Sequence, residues 1–361
     1  MLSSAKTILL LLFTAFSTQS VILGDQMIKN PAEMLVSMVD GFLVSRGLYV
    51  VAELNIAEAL LDGPATATVL AEKLDLNADA LHRLLRMLAG HGVFTYNNDG
   101  SFELNDISRL MTKSHPQTLH GFLLHEDPAR WQAYGNMAYS LKTGKPTFNH
   151  LFGKNYFEYI AQDKKRSEQF DQGMATFSEE ENKQIAQAVG FTSSGHIIDI
   201  GGGVGGLLKE IVQHNANLHA TLYELPHLES MARQYLQKHF LNNQISVTIG
   251  SFFDSIVHGG DVYILKRILH DWSDQECIQI LTNCRNAMHN SAKLLVFDCI
   301  VPEDTSYDIS KDIDIIMMVV FGGKERTKKE FAALFDAAGL KLSKATPVKG
   351  TMLSVLEVVK N

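Results

Sequence analysis

The sequence predicts an α/β protein: a mainly helical N-terminal part followed by a doubly wound, mostly parallel sheet with an antiparallel edge strand. Three observations carry this. Apolar residues recur at helical spacing from Pro31 to about Thr192. From His196 onward, short β-branched runs alternate with helical segments, the grammar of a parallel sheet covered on both faces. The first of those runs leads into "DIGGGVGG", a glycine loop at a strand-to-helix junction.

The 361 residues suit two domains better than one. Hydrophobic residues make up 46% and charged residues 20%, which allows a sizeable core and argues against long disorder. The net charge of −8, with no long basic run, speaks against nucleic-acid binding. Cys277, Cys284 and Cys299 are odd in number and lack CxxC spacing, so neither a disulfide framework nor a zinc site is expected. The histidines are scattered without ligand spacing, and no metal is expected.

Residues 1–26 fit three readings. "MLSSAKTILLLLFTAFSTQS" has a lysine, an apolar stretch from Ile8 to Phe16 and small residues near Ser17 and Ser20, the layout of a secretory signal peptide. It also suits an extra helix packed in a dimer, and translation from Met27 would remove it. The apolar stretch is shorter than the roughly 20 residues that cross a bilayer, so no integral membrane segment is expected.

Residues 27–114 read as a winged-helix-like dimerisation domain. "PAEMLVSMVDGFLVSRGLYVVAELNIAEALL" is apolar on more than one face, which a partner chain would cover; a homodimer is expected. Asn77 caps a following helix, Gly90 or Gly92 stops it, and "NNDG" turns between two short strands. The helix "ALHRLLRML" offers DNA mostly leucine. Residues 115–190 form an aromatic-rich helical block; its rings, Phe170 among them, suit either a core or a ligand.

Residues 191–361 hold the sheet. Strands are expected at "HIIDI", "LHATLYEL", "ISVTI", "DVYIL" and "KLLVFDC", with helices near residues 207–213, 228–240, 274–288 and 328–338. The last stretch, "LKLSKATPVKGTMLSVLEVV", reads as two strands with a short link, one of them antiparallel at the edge. Gly201, Gly203 and Gly206 fit the G-x-G-x-x-G spacing, which lets a ligand approach bare backbone at a helix N-terminus. With Glu224 ending the second strand, placed for ribose hydroxyls, this predicts a Rossmann-like domain for an adenosine-containing cofactor. NAD(P) and S-adenosylmethionine both suit such a loop. The antiparallel strand favours a methyltransferase over a nicotinamide-dependent oxidoreductase, and Asp199 then stands near the methionine ammonium group.

"IIDIGGGVGG", "YELPHL", "GSFF", "ILKRILHDWSD", "FDCIVPE" and "GGKERTKKEF" resemble, in order, the plant-type S-adenosylmethionine-dependent O-methyltransferases, which include caffeate and hydroxyindole enzymes. The resemblance covers about residues 30–361. It implies an N-terminal winged-helix dimerisation domain, a Rossmann-like catalytic domain and a small aromatic hydroxyl substrate. By motif, it places Asp199 and Gly201 at the methionine end of the cofactor, with Gly203 in the same cofactor-binding loop, Glu224 on the ribose, Phe252 and Phe253 about the adenine, and Lys266 at the sugar or adenine edge. His270 becomes the general base, with Asp298 and Glu325 orienting it; Phe170 and Met174 hold the acceptor ring. Glu224 stands where aspartate is usual, Ser251 replaces an adenine-contacting aspartate, and Asp298 stands where glutamate is common.

The chemistry accounts for these residue types. A phenol, with a pKa near 10, is mostly protonated at neutral pH. Histidine is suited to removing that proton, and general-base help is worth about 10²–10⁴-fold. A carboxylate on the far ring nitrogen fixes the tautomer and stabilises the imidazolium. Asp271 fits either a substrate contact or the cap of the helix beginning near Ser273; Met317 fits either the core or the substrate side. A catalytically dead winged-helix regulator is the reading from another class, and the intact His270 speaks against it. The cytoplasm, where S-adenosylmethionine is supplied, is the expected location.

Overall fold

The computed structural model describes residues 30–191, 195–213, 215 and 217–361. The signal-like stretch and Met27 lie outside the described residues. The chain folds into two compact units. Of the described residues, one holds residues 30–135 together with Phe157–Phe177; the other holds Asn136–Tyr156 and those from Ser178 to Asn361. The helical block at 115–190 is thus shared between them.

In the N-terminal unit, Asn30 accepts the Ala32 N–H and Pro31 opens helix α1 (Pro31–Glu53). Strand β1 (Ala65–Thr66) leads into α2 (Ala67–Leu74), which Thr66 caps. Asn77 caps α3 (Ala78–Gly90) through the Ala80 N–H, as its position predicts. Strands β2 (Phe94–Tyr96) and β3 (Ser101–Leu104) pair across the expected turn, closed by the Gly100 N–H on the Asn97 carbonyl. The sheet order is β1-β3-β2. Leu81, Leu85 and Leu88 of α3 bury against Val51, Leu70 and Phe102, so the leucines of that helix are core.

The long helix α4 (Lys164–Ala188) runs from one unit into the other. The catalytic-side unit is built on β4 (Gly195–Ile200), α5 (Gly206–Gln213), β5 (Leu218–Glu224), α6 (Glu229–Lys238), β6 (Ile245–Ile249), β7 (Val262–Lys266), α7 (Asp274–Ala287) and β8 (Lys293–Asp298). Helix α8 (Ile309–Ile316), a π-helical turn (Met317–Phe321), α9 (Lys328–Ala337), β9 (Leu340–Pro347) and β10 (Ser354–Lys360) complete it. The sheet order is β6-β5-β4-β7-β8-β10-β9. β4 to β8 are mutually parallel, and two apolar clusters cover the two faces.

The last two strands form the antiparallel end of the sheet, as expected: β9 lies at the edge and pairs with β10, and β10 lies between β8 and β9, antiparallel to both. The burial pattern gives the reason. β10 hides Val355, Leu356 and Val358, whereas β9 exposes Lys341, Ser343 and Lys344 and tolerates the unpaired margin.

Leu356 is fully buried in this inner strand. Leu356→Ala is expected to lower stability by about 2–5 kcal/mol in denaturant titration, while Lys344→Thr on β9 stays within about 0.5 kcal/mol.

Candidate active site

Parallel strands place their carboxyl ends on one side of the sheet, and the loops that follow them gather the predicted residues there. Asp199 is the penultimate residue of β4 and is fully buried. Among the described residues, neither of its carboxylate oxygens has a hydrogen-bond partner. Burial, with a smaller push from the charge of Glu224, raises its pKa to about 7 against the pull of Lys266. A Cβ on Gly202 would strike this carboxylate, so the close approach requires glycine. Gly203, at φ +62°, has open space where a side chain would stand. Glu224 ends β5, takes the Leu225 N–H at 2.9 Å and is held beside the Gly203 backbone; burial pushes its pKa up. An unpartnered buried carboxylate, a bare glycine backbone and a second carboxylate fit a ligand carrying a cationic amine and hydroxyl groups.

The segment after β6 adds aromatic surface. Ser251 accepts the Phe253 N–H at 3.2 Å and tightens the turn. Phe252 and Phe253 are half-buried, with ring centroids 4.9 Å apart, and Phe252 reaches Gly201. Trp272 packs edge-on against Phe253 at 4.7 Å. Gln279 and Asn283 on α7 donate to the Phe252 and Phe253 carbonyls and fix the segment.

Strand β7 ends in Lys266 and is followed by Arg267, two cations that are mostly but not fully buried. Lys266 donates to Ser178 at 2.7 Å and Asn182 at 2.9 Å, and pairs with Glu181 at 3.4 Å. Its three hydrogens are therefore matched by α4, not left free for a sugar or adenine edge. Arg267, at φ +55°, holds the same Glu181 through both Nε and Nη2. The buried Glu181 has its pKa lowered because these cations outweigh the penalty of burial.

His270 lies in the short turn Leu269–Asp271 and is 9% exposed. Its Nδ1 is 2.8 Å from Glu325 Oε1, and its Nε2 is 3.7 Å from Asp271 Oδ1. Burial would lower the histidine pKa, but Asp271, Glu325 and Asp298 outweigh it and raise it to about 9. Burial raises Asp271 and brings Asp298 to about 7. Asp298 is fully buried at the end of β8, and among the described residues its carboxylate oxygens have no hydrogen-bond partner. Of the two carboxylates placed to orient the imidazole, Glu325 alone bonds it; Asp298 acts on it by charge.

The structure separates the remaining readings. Ser273, not Asp271, caps α7, in a reciprocal pair with Glu276. Met317 is buried in the π-helical turn. Phe170 and Met174 belong to the N-terminal unit: Phe170 stacks on buried His125 at 4.7 Å, and Met174 is exposed on α4.

Arg326 was not singled out by its sequence. It is fully buried and donates to the Leu269 and Trp272 carbonyls, each at 2.8 Å, and to Asp274. Lys324 N–H donates to the His270 carbonyl at 2.8 Å, and a Cβ on Gly323 would strike that same carbonyl. The GGKER loop is thereby laced to the histidine turn. Flanked by Glu325 and Thr327, Arg326 reads in sequence as a surface residue, as does Glu181 within "SEEEN".

The O-methyltransferase domain model matches residues 134–341, and the O-methyltransferase dimerisation domain model matches residues 36–114. The chain belongs to the O-methyltransferase family. It is 32% identical to a phenazine O-methyltransferase of Lysobacter antibioticus, over 90% of this chain and 95% of that one. The crystal structure of a methyltransferase of calicheamicin biosynthesis, with S-adenosylhomocysteine bound, matches with a TM-score of 0.81 and 31% identity over 93% of this chain and all of that one. An O-methyltransferase of neocarzinostatin biosynthesis, solved with S-adenosylmethionine and 2-hydroxy-5-methyl naphthoic acid, matches with a TM-score of 0.77 and 28% identity over 88% and 96%. This O-methyltransferase uses S-adenosylmethionine as its methyl donor.

The folded pKa of Asp199 is raised above its unfolded value near 3.9, so its cost to stability is absent below about pH 4 and complete above about pH 7. Ligand-free Asp199→Asn is therefore expected to melt higher than the parent at pH 8, with the gap fading toward pH 4. Calorimetry at pH 8 should find the variant's S-adenosylhomocysteine affinity weakened about 10–100-fold, the loss of a charged hydrogen bond.

Proposed function

We propose that this O-methyltransferase methylates a hydroxyl of a small, flat aromatic acceptor, with His270 as general base. The observation that carries the reading is the Nδ1 contact of His270 with Glu325 at 2.8 Å. An ionised carboxylate only accepts, so Nδ1 carries the hydrogen and Nε2 presents the lone pair of the neutral ring. S-adenosylmethionine supplies a methyl group already activated on a sulfonium centre. The residues that would hold it are Asp199 at the amine, the bare backbone of Gly201 and Gly203, Glu224 at the ribose hydroxyls, and Ser251, Phe252 and Phe253 about the adenine. Lys266 serves this site indirectly, by tying α4 to the end of β7 and by its charge near Asp199.

His270 takes the acceptor's proton on Nε2, and Glu325 steadies the imidazolium from the other side. Asp298 and Asp271 add negative charge beside the same ring. Asp271, partly exposed next to Nε2, faces whatever the acceptor carries beside its reacting hydroxyl. The phenazine enzyme and the naphthoic acid complex among the relatives support a flat aromatic acceptor.

We assign the enzyme to a homodimer in the cytoplasm. Helix α1 has the length and apolar composition of a membrane span, and it also exposes Leu35, Met38, Val39 and Phe42, each more than half exposed. The dimerisation domain match begins at residue 36 in this helix, which makes a second copy the fitting cover. The double substitution Val39→Asp and Phe42→Asp is expected to yield a monomer in light scattering; a persisting dimer would remove α1 from the interface.

Methyl-labelled S-adenosylmethionine with a panel of phenols, catechols, hydroxyindoles and hydroxyquinones tests the activity. His270→Ala should lower kcat by about 10²–10⁴-fold with little change in the KM for S-adenosylmethionine. The histidine pKa is raised, so the ring is protonated below about pH 9 and its base form grows as pH rises. Turnover of the parent should climb between pH 7 and 9, and His270→Ala should lose that rise. Full turnover in the variant would sink the base assignment.

A further inference from the structure

We infer that Asp314 is a positioning residue for His270, acting through Glu325; the inference rests on the reading of His270 as base. Glu325 stands in an irregular loop, and such a loop holds a side chain only as firmly as its backbone is tied. Two ties are backbone contacts: Gly322 N–H to the Met317 carbonyl at 2.7 Å, and Lys324 N–H to the His270 carbonyl at 2.8 Å. The N–H of Glu325 itself goes to a side chain, Asp314 Oδ1, at 2.9 Å. This is the tie nearest the carboxylate that meets the imidazole.

The contacts form a relay of position. Asp314 Oδ1 accepts from the Glu325 N–H, and Glu325 Oε1 accepts from His270 Nδ1. Asp314 lies in the last turn of α8, just before the π-helical turn Met317–Phe321, and turns of that kind recur at functional sites. Met317, at the start of that turn, also accepts the Gly322 N–H, so α8 and its π extension fix both ends of the segment that carries Glu325. Asp314 is half-buried, and burial pushes its carboxyl up against the pull of the Glu325 N–H. The carboxylate stands there at a desolvation cost, and the Glu325 N–H, eleven residues away in sequence, offsets part of it. Lys324, Glu325 and Glu330 are the charged groups about Asp314; Asp271, Asp298 and Glu325 are those about His270, with Arg267 beside Asp298 and Glu325.

The test reads His270 directly, without an acceptor. The full chain, labelled with ¹⁵N-histidine and saturated with S-adenosylhomocysteine, is titrated by NMR, and the His270 signal is assigned by its loss in His270→Gln. Asp314→Ala frees the Glu325 backbone and should lower the His270 pKa by about one unit. With an acceptor in hand, its kcat should fall about tenfold, part of the full general-base contribution, while the KM for S-adenosylmethionine stays within about twofold. Asp314→Asn keeps an oxygen that accepts the Glu325 N–H and should restore both readouts. If Asp314→Ala does not fold, Asp314→Ser, too short to reach, carries the same expectation. An unchanged His270 titration in the Ala or Ser variant overturns the inference, as does an Asn variant as impaired as Ala. Parent-level turnover in His270→Gln would instead overturn the base reading itself, so the two failures are distinguishable.

Discussion

The site depends on one buried guanidinium. Arg326 has no exposure, and its donors close on the Leu269 and Trp272 carbonyls and on Asp274. Those acceptors bracket His270. Without them, a three-residue turn at the end of a strand would hold the imidazole by little more than its own backbone. With them, the turn is locked to the loop that carries Glu325, and the two partners of the 2.8 Å contact come from one braced body. The planar fork of arginine suits this task, because its donors diverge in fixed directions toward several acceptors; the point charge of lysine could not bridge them.

Around that brace the protein concentrates carboxylates where water is scarce. Asp199, Asp298 and Glu325 are all buried, and each keeps at least one oxygen without a hydrogen bond. Such groups cost stability in the free protein. In the proposed mechanism that cost is offset when a cationic ligand meets Asp199 and when the histidine beside Asp298 and Glu325 takes up a proton. The pKa values respond accordingly, those of Asp199 and Asp298 rising and that of the histidine rising with them. By contrast, Glu181 is fully paired by Arg267 and Lys266, and its acidity increases. Glu181 thus ties α4 to the end of β7, a pairing with cations at hydrogen-bond distance that Asp199 and Asp298 lack.

Much of this was legible in the sequence because it is written locally. The glycine loop must follow a strand for its backbone to be bare, and "DIGGGVGG" follows β4. The cap at Asn77, the β-branched runs and the helical periods rest on neighbours a few residues apart. His270, Asp298 and Glu325 stand at the ends of elements whose order can be counted along the chain. The order of the last two strands shows the limit. Period and turn foretell that β9 and β10 pair, but which one lies inside depends on burial against β8.

By itself, then, the sequence determined the class of fold, the family and the residues that reach the carboxyl ends of the strands. All of these follow from spacing, propensity and motif. The tertiary structure alone decided which charges meet. Arg326 and Asp274 are 52 residues apart, Glu325 and His270 are 55 apart, and Lys266 reaches Asn182 across 84. No local period encodes such pairs. They exist because the sheet brings distant loops to one edge, where low dielectric makes each buried charge find a partner or wait for one.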